Sequence, residues 1–135
     1  MKKISALLLF LFLASCVLIA PNQKDKLINR DLTLVVDNRL PQKNLPFILI
    51  KADGRVSGST GCNRIVGTAA FGNTGEVIFR NIAITRMLCI QESSNDLEQY
   101  FVDGLNNTLF YFINEDTVYF LDKNQDKIFA LKIRE

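Results

Sequence analysis

The order of apolar and polar positions along the chain predicts a protein built mainly of β-strands. Short apolar runs at residues 32–36 and 47–50 are bounded by polar, proline or glycine positions. Runs of this length are more often buried strands than helices. The second run is followed by Asp53-Gly54, a hairpin signal, because both residues tolerate a positive φ. We therefore expect residues 55–59 to form the return strand.

The same pattern continues in the second half of the chain. Residues 66–71 and 76–79 are predicted strands on either side of a Gly-Asn-Thr-Gly turn, and residues 82–89 form a mixed segment. The last part of the chain is dense in aromatic side chains, which favour a half-buried pleated surface. Its strands are predicted at residues 109–113, 117–121 and 128–133.

One segment, residues 93–108, has the periodicity of a helix. Leu97, Phe101 and Leu105 are spaced four apart and form an apolar stripe. Acidic residues, Glu98 among them, fall in the predicted first turn, where they interact favourably with the helix dipole.

The predicted fold class is mainly β (α+β), with seven or eight antiparallel strands and one helix. A compact, closed or partly closed antiparallel β-barrel with the helix plugging one side would hide the edges of the sheet. Gly104 interrupts the helical stripe. It indicates either close packing against the sheet or a weak point in the helix.

The beginning of the chain has the pattern of a secretory signal. Lys2 and Lys3 precede an apolar run at residues 4–14, and small residues come just before Cys16. Leu-Ala-Ser-Cys at residues 13–16 resembles the lipobox of bacterial lipoproteins, in which the cysteine becomes the lipidated first residue. The alternative, an uncleaved membrane helix, is short against the about 20 residues of a bilayer span. The expected organisation is a signal peptide at 1–15, a lipidated cysteine and polar tether at 16–30, and one folded domain at 31–135.

The net charge of the full chain, +2, comes from the predicted signal peptide, and the expected mature protein is neutral. Removing the first 15 of 135 residues leaves 120, and it removes two of the 16 basic residues, so that 14 basic residues face 14 acidic ones. A neutral domain without a basic run argues against a nucleic-acid partner. Attachment to the membrane is expected through the N-terminal lipid instead.

The residue types for most catalysis are missing. The chain contains no histidine, which removes the commonest general base, the partner in serine triads and the commonest zinc ligand. The acidic residues fall at the helix start and in turns, where capping and turn chemistry account for them. We expect no enzyme activity, no catalytic residue, no cofactor and no bound metal.

Two cysteines remain beyond Cys16. Cys62 and Cys89 are an even pair in a chain that is expected to be exported from the cytoplasm. Outside the cytoplasm, a disulfide between them is permitted. The bridge would close a loop of 28 residues, counting both cysteines. Such a loop is assigned about 3.5 kcal/mol in the chain-entropy model. The alternative is two buried thiols that act as small apolar side chains.

Two separate motifs resemble those of one known family. The stretch DGRVSGSTGCNR at residues 53–64 resembles the first hallmark of the META domain family (DUF306), the family of the HslJ heat-inducible lipoproteins. Thr-Arg-Met-Leu-Cys at residues 85–89 resembles its second hallmark, T-x-M-A-C, with leucine in place of alanine. The similarity runs from about residue 32 to 133. The motif residues are Gly58, Gly61, Cys62, Asn63, Arg64, Gly67, Thr85, Met87 and Cys89.

The resemblance implies a fold and a set of biological roles. The implied fold is a compact, barrel-like antiparallel domain with one helix, similar to the pilot lipoproteins that escort secretins to the outer membrane. Members are associated with the heat-shock response, and some with novobiocin resistance, motility or secretion. No catalytic activity is established for the family. The chain departs from the family's usual W-x-L first strand, since it contains no tryptophan.

The first motif has two interpretations. Its glycines together with Asn63 and Arg64 could cradle an anion with backbone N–H groups. The structural interpretation, which we favour, has Asn63 pinning the turn through its side-chain amide. We further expect Thr85 to make a turn hydrogen bond and Met87 to lie in the core.

The sequence favours the function of a lipid-anchored, non-catalytic envelope protein that binds another envelope protein. It would assist assembly, secretion or stress tolerance. The alternative is a carrier of a small apolar ligand, such as a lipid, inside the barrel. In a Gram-negative host, Val17 follows the lipidated cysteine instead of the aspartate that signals inner-membrane retention. This favours the outer membrane, facing the periplasm.

Overall fold

Eight antiparallel strands form a single curled sheet in the computed structural model, which describes residues 23–37, 43–90 and 92–135, with the backbone alone at residues 92–94. The predicted lipobox and Cys16 lie outside the described residues. The strands follow the order β5-β4-β3-β2-β1-β8-β7-β6 across the sheet. Their bounds are β1 Asp31–Leu34, β2 Phe47–Ile50, β3 Arg55–Ser59, β4 Arg64–Phe71, β5 Val77–Ile84, β6 Phe110–Asn114, β7 Thr117–Leu121 and β8 Lys127–Arg134.

The sheet curls into a half-barrel whose two outer strands meet only where each begins. Glu76, just before β5, forms a bridge with Phe110 at the start of β6. Val77 N–H donates to the carbonyl of Leu109 at 3.1 Å, and Tyr111 N–H donates to that of Gly75 at 2.8 Å. Among the described residues, no strand lies beside the rest of β5 on that edge, so the barrel is partly closed, which is one of the two forms that the sequence predicts.

The helix α1, Glu92–Asn107, packs against β5 and β8. Its stripe residues Phe101 and Leu105 are fully buried. Gly104 lies so close to the sheet that a Cβ atom on it would sit 2.7 Å from two ring carbons of Phe129. Of the two interpretations of Gly104, close packing is therefore correct. In the described part of the chain, no helix is long and apolar enough to cross a bilayer.

Aromatic rings fill the middle of the half-barrel. Phe120 of β7 stacks on Phe129 of β8 with 5.1 Å between the ring centroids. Phe79 from β5 and Phe101 from α1 meet these two rings edge-on, each at 5.7 Å. Alternating positions along the strands place aliphatic side chains on the same inner face, among them the buried Leu32, Leu34, Ile48, Ile50, Val118 and Leu131.

The predicted strand boundaries differ from the structure mainly in β4 and β5. Residues 76–79 and 82–89 were expected to be separate segments, but one continuous strand, β5, covers residues 77–84. The polar Arg80 and Asn81 between the apolar residues are exposed, so they interrupt the apolar run without interrupting the pairing. Asn81 adopts a positive φ of 54°, which asparagine tolerates better than most residues.

The folded body also includes residues 23–30, although the polar composition of residues 21–29 predicts that they belong to the tether. Gln23–Lys26 forms a short 3₁₀ helix, and Leu27 behind it is fully buried. Ile28 forms a bridge with Ile50, and Asn29 N–H donates to the Ile50 carbonyl at 2.8 Å. Two apolar residues are thus enough to fasten this segment to the sheet, although they are too few to produce a periodic pattern.

The Asp53-Gly54 turn is the hairpin that the sequence predicts. Gly54 has a φ of 86°, and β2 and β3 pair on either side of the turn. The backbone N–H of Arg55 donates to Asp53 Oδ1 at 3.0 Å. This bond, together with the Arg55 guanidinium, holds the pKa of the Asp53 carboxyl below its usual value.

The contact between Gly104 and Phe129 predicts the sign of a mutational effect. Glycine to alanine in a helix ordinarily stabilises by up to about 1 kcal/mol. Here the added methyl group would overlap a ring already packed between two others, so Gly104→Ala should lower the free energy of unfolding by about 1–3 kcal/mol. Asn106→Ala, at an exposed position of the same helix, is the control and should be neutral or slightly stabilising. Urea denaturation measures both, and a stabilised Gly104→Ala would contradict the packing.

Candidate functional site

Most of the motif residues lie at one end of the half-barrel, and the N-terminal residues of the described chain lie at the opposite end. We call the end with residues 60–63 and 85–90 the loop end, and the end with residues 23–30 and the turn at 51–54 the N-terminal end. The strand β5 leads from the turn at 72–75 to the loop end. Its eight residues span roughly 25 Å at about 3.3 Å per residue. The motif residues Cys62, Asn63, Thr85, Met87 and Cys89 therefore all lie at the loop end.

The side-chain amide of Asn63 connects the two motifs. Asn63 is only 2% exposed. Its Oδ1 accepts hydrogen bonds from Met87 N–H at 2.7 Å and from the Thr85 hydroxyl at 3.0 Å. Its Nδ2 donates to the carbonyl of Met87 at 3.5 Å and to Glu98 Oε2 at 2.9 Å. One buried side chain thus binds the backbone of residue 87 in both directions and reaches the helix as well.

Glu98 joins the helix to this network. Its Oε2 also accepts a hydrogen bond from the hydroxyl of Thr60, which is 1% exposed. Sequence reasoning assigned Glu98 to the helix dipole and overlooked Thr60. The available signal was the position of Glu98 three residues before Phe101, which places it on the side of α1 that faces the sheet.

A disulfide between Cys62 and Cys89 closes the site. The two Cα atoms are 5.9 Å apart, and the bridge links residues 27 positions apart in the chain. It connects the turn before β4 to the segment that follows β5. Cys62 and Cys89 are therefore joined by a disulfide in the structure, and the alternative interpretation, two buried free thiols, does not hold there.

The glycines of the first motif are required by close backbone contacts. A Cβ on Gly58 would lie 2.1 Å from the carbonyl oxygen of Phe47. Gly61 has a φ of 92°, and a Cβ there would lie 2.3 Å from the Asn44 carbonyl. Gly67 lies at the irregularity in β4, where the pairing register shifts. These positions serve the geometry of the turn and the sheet.

The N–H groups that an anion cradle would need are already bonded. Gly61 N–H donates to the Ser59 hydroxyl at 3.0 Å. The N–H groups of Cys62 and Asn63 donate to the Thr60 hydroxyl at 3.4 and 2.8 Å. The structural interpretation of the motif therefore agrees with the geometry, and the anion cradle does not. Among the described residues, no three histidine, cysteine, aspartate or glutamate side chains are placed to share a metal ion.

The segment at residues 85–90, which we call the 85–90 loop, holds apolar side chains in solvent. Met87 is 60% exposed, Leu88 is 99% exposed, and Ile90 is fully exposed. The expectation that Met87 lies in the core is wrong, because Asn63 binds its backbone from the inside and the side chain is left outside. Arg64 and Arg86 are also exposed, as surface charges beside the loop.

The protein is thus a small half-barrel domain that carries, at one end, an apolar loop held in place by a disulfide. The META domain family matches residues 32–134, and the chain belongs to this family. The expectation from the two sequence motifs is confirmed. No curated protein is significantly similar to the chain in sequence.

Three solved structures are similar in fold. A protein solved by NMR is 25% identical and has a TM-score of 0.62 over 81% of this chain and 92% of its own. An NMR structure of a protein from Burkholderia xenovorans has a TM-score of 0.67 at 18% identity, over 86% and 89% of the two chains. A DUF4847 family protein from Bacteroides vulgatus has a TM-score of 0.55 at 18% identity, over 82% and 94%. At 18% identity, the last two show the shared fold alone.

Removing the side-chain amide of Asn63 should lower the free energy of unfolding more than removing the amide of an exposed asparagine. Asn63→Ala leaves Met87 N–H and the Glu98 carboxylate without their buried partner, which corresponds to a loss of about 2–3 kcal/mol. The matched control is Asn73→Ala in the exposed turn at 72–75, with an expected change within about 0.5 kcal/mol. Both are measured by urea denaturation. Equal losses would show that the network contributes nothing.

The disulfide predicts the chemistry of the two thiols. In protein freshly extracted under denaturing conditions, an alkylating reagent should leave Cys62 and Cys89 unmodified until a reductant is added. The double variant Cys62→Ser/Cys89→Ser should lose about 3 kcal/mol of stability, since the bridge closes a long loop. Mass spectrometry reads the modification. Alkylation of both cysteines without reduction would refute the bridge in the cell.

Proposed function

We propose that the protein is a lipid-anchored, non-catalytic envelope protein that binds another protein through the 85–90 loop. The observation that carries this proposal is the exposure of Met87, Leu88 and Ile90 on a backbone that is fixed from the inside. Clustered apolar side chains in solvent mark interaction sites on soluble domains. Fixing the loop before binding lowers the entropy that is lost on association.

The position of the predicted anchor supports a loop that faces away from the membrane. Only the six residues at 17–22 separate Cys16 from the 3₁₀ helix at the N-terminal end. A chain of that length reaches at most about 25 Å. The loop end lies roughly a further 25 Å along the half-barrel. A protein anchored at Cys16 in the outer membrane would thus present the loop to the periplasm.

Membership in the META domain family supports the choice of role. We propose that the bound partner is an envelope protein whose assembly, secretion or stability under stress depends on this contact. The proposed function requires binding and no catalytic step. Asn63, Thr60 and Glu98 suit this function, because their polar groups form hydrogen bonds with one another.

The alternative, a carrier of an apolar ligand, finds less support. The interior of the half-barrel is occupied by the ring contacts of Phe79, Phe101, Phe120 and Phe129. A pocket of about 170 Å³ lies at the N-terminal end beside Lys51, Asp53 and Phe71. Lysine and aspartate at its wall do not suit an apolar ligand.

Crosslinking in the protein's own membranes tests the proposal. The full-length chain should crosslink to an envelope protein, and Leu88→Asp should abolish that product. Val35→Asp is the matched control, because Val35 is another exposed apolar residue outside the loop and its change should leave the product intact. Cys16→Ala should prevent palmitate labelling and release the protein from the membrane.

Two results would contradict the proposal. An unchanged set of crosslinked proteins with Leu88→Asp would remove the loop from the function. Palmitate labelling that persists in Cys16→Ala would remove the anchor.

A further inference from the structure

We propose that the 85–90 loop is a peptidase-blocking segment: it enters the substrate cleft of an envelope serine endopeptidase, with Leu88 in the pocket for the side chain before the cleaved bond. This inference rests on the protein-binding function proposed above and names the class of the partner. It commits to a cleft that recognises an extended peptide with a large aliphatic side chain.

The backbone of the loop has the shape that such a cleft accepts. The segment from Thr85 to Cys89 contains no turn or bend, and all of its residues have negative φ. Clefts that bind extended peptides use main-chain hydrogen bonds for affinity and side-chain pockets for specificity. The segment follows directly after β5 at the loop end, and Leu88 is almost fully in solvent there.

Leu88 is held from both sides while its own side chain is free. On one side, Asn63 bonds both the N–H and the carbonyl of Met87, at 2.7 and 3.5 Å. On the other side, Cys89 is bridged to Cys62. A loop fixed in this way loses little conformational entropy when it enters a preformed cleft. Complexes between peptidases and rigid inhibitors form with small backbone changes for the same reason.

The same attachments explain how the loop could occupy a cleft without being consumed. Hydrolysis would add water across the Leu88–Cys89 bond, leaving a carboxylate on Leu88 and an amine on Cys89. The new amine end would stay in place through the disulfide, and the new carboxylate end through the Asn63 bonds to Met87. Because neither end can diffuse away, the cut loop would remain in the cleft.

A bilayer surface is the competing occupant of these apolar side chains. The tether enters the domain at the N-terminal end, whereas the loop is at the loop end, roughly 25 Å away along β5. An apolar loop that served to bind the anchoring membrane would be expected beside the tether. The placement therefore favours a protein cleft.

An inhibition assay with a specificity switch tests the proposal. The full-length protein, purified in detergent, is titrated into chymotrypsin and elastase with fluorogenic substrates. We expect wild-type protein and the control Val35→Asp to inhibit at least one of them. Leu88→Asp should weaken the inhibition by about 100-fold, because a charge would enter an apolar pocket. Leu88→Arg should lose that inhibition and gain inhibition of trypsin, whose pocket accepts a basic side chain.

The disulfide supplies a second readout. With the bridge intact, the loop should be cut slowly. Cys62→Ser/Cys89→Ser should convert the inhibitor into an ordinary substrate that is cut rapidly after Leu88, as seen by mass spectrometry. Thermal unfolding of each variant confirms that the domain is still folded in the assay.

Four outcomes would overturn the inference. They are failure of the wild-type protein to inhibit either peptidase, equal inhibition by Leu88→Asp, rapid cleavage of the wild-type loop, and loop-dependent binding to phospholipid vesicles without inhibition. A loop-dependent crosslink to a protein that is not a peptidase would overturn this inference and leave the proposed function standing.

Discussion

The arrangement of the loop end depends on one buried amide. Asn63 bonds Met87, Thr85 and Glu98 from a position that is closed to solvent, and thereby joins two loops and the helix. A buried amide that is fully paired is favourable, whereas a partly paired one is costly, so these contacts support one another. The disulfide beside it adds a covalent limit on the same two loops. These two constraints hold Met87 and Cys89 in place within the 85–90 loop.

The half-barrel depends on its helix for a related reason. Because β5 and β6 pair only where they begin, no strand in the described part of the chain lies beside the remaining edge of β5, and α1 packs against this strand. The approach is close enough that residue 104 has no room for a side chain. Glu98, six residues earlier, carries the same helix into the Asn63 network. Core packing and the loop end are therefore coupled through one element.

A rigid loop with exposed apolar side chains is a costly surface for a protein that has no partner, because it promotes non-specific association. If the loop is complementary to a cleft, its rigidity favours binding, because less conformational entropy is lost on association. Residues 23–26 lie at the end of the domain opposite to the 85–90 loop. With the proposed anchor at Cys16, this separation would give the molecule a membrane side and a partner side, which is why we propose a protein cleft for the loop instead of a lipid surface.

The sequence alone predicted seven or eight strands, the helix with its apolar stripe, the Asp53-Gly54 turn, a cysteine pair that could form a bridge, and the family, because these features depend on local periodicity, turn chemistry or motif spacing. It misplaced Met87 in the core and took residues 23–30 for tether. It also overlooked Thr60 and gave Glu98 a local role. These errors share one cause. Which side of residue 87 faces solvent, and which hydroxyl meets Glu98, is decided by contacts between residues 24 to 38 positions apart, and only the tertiary structure brings these residues together.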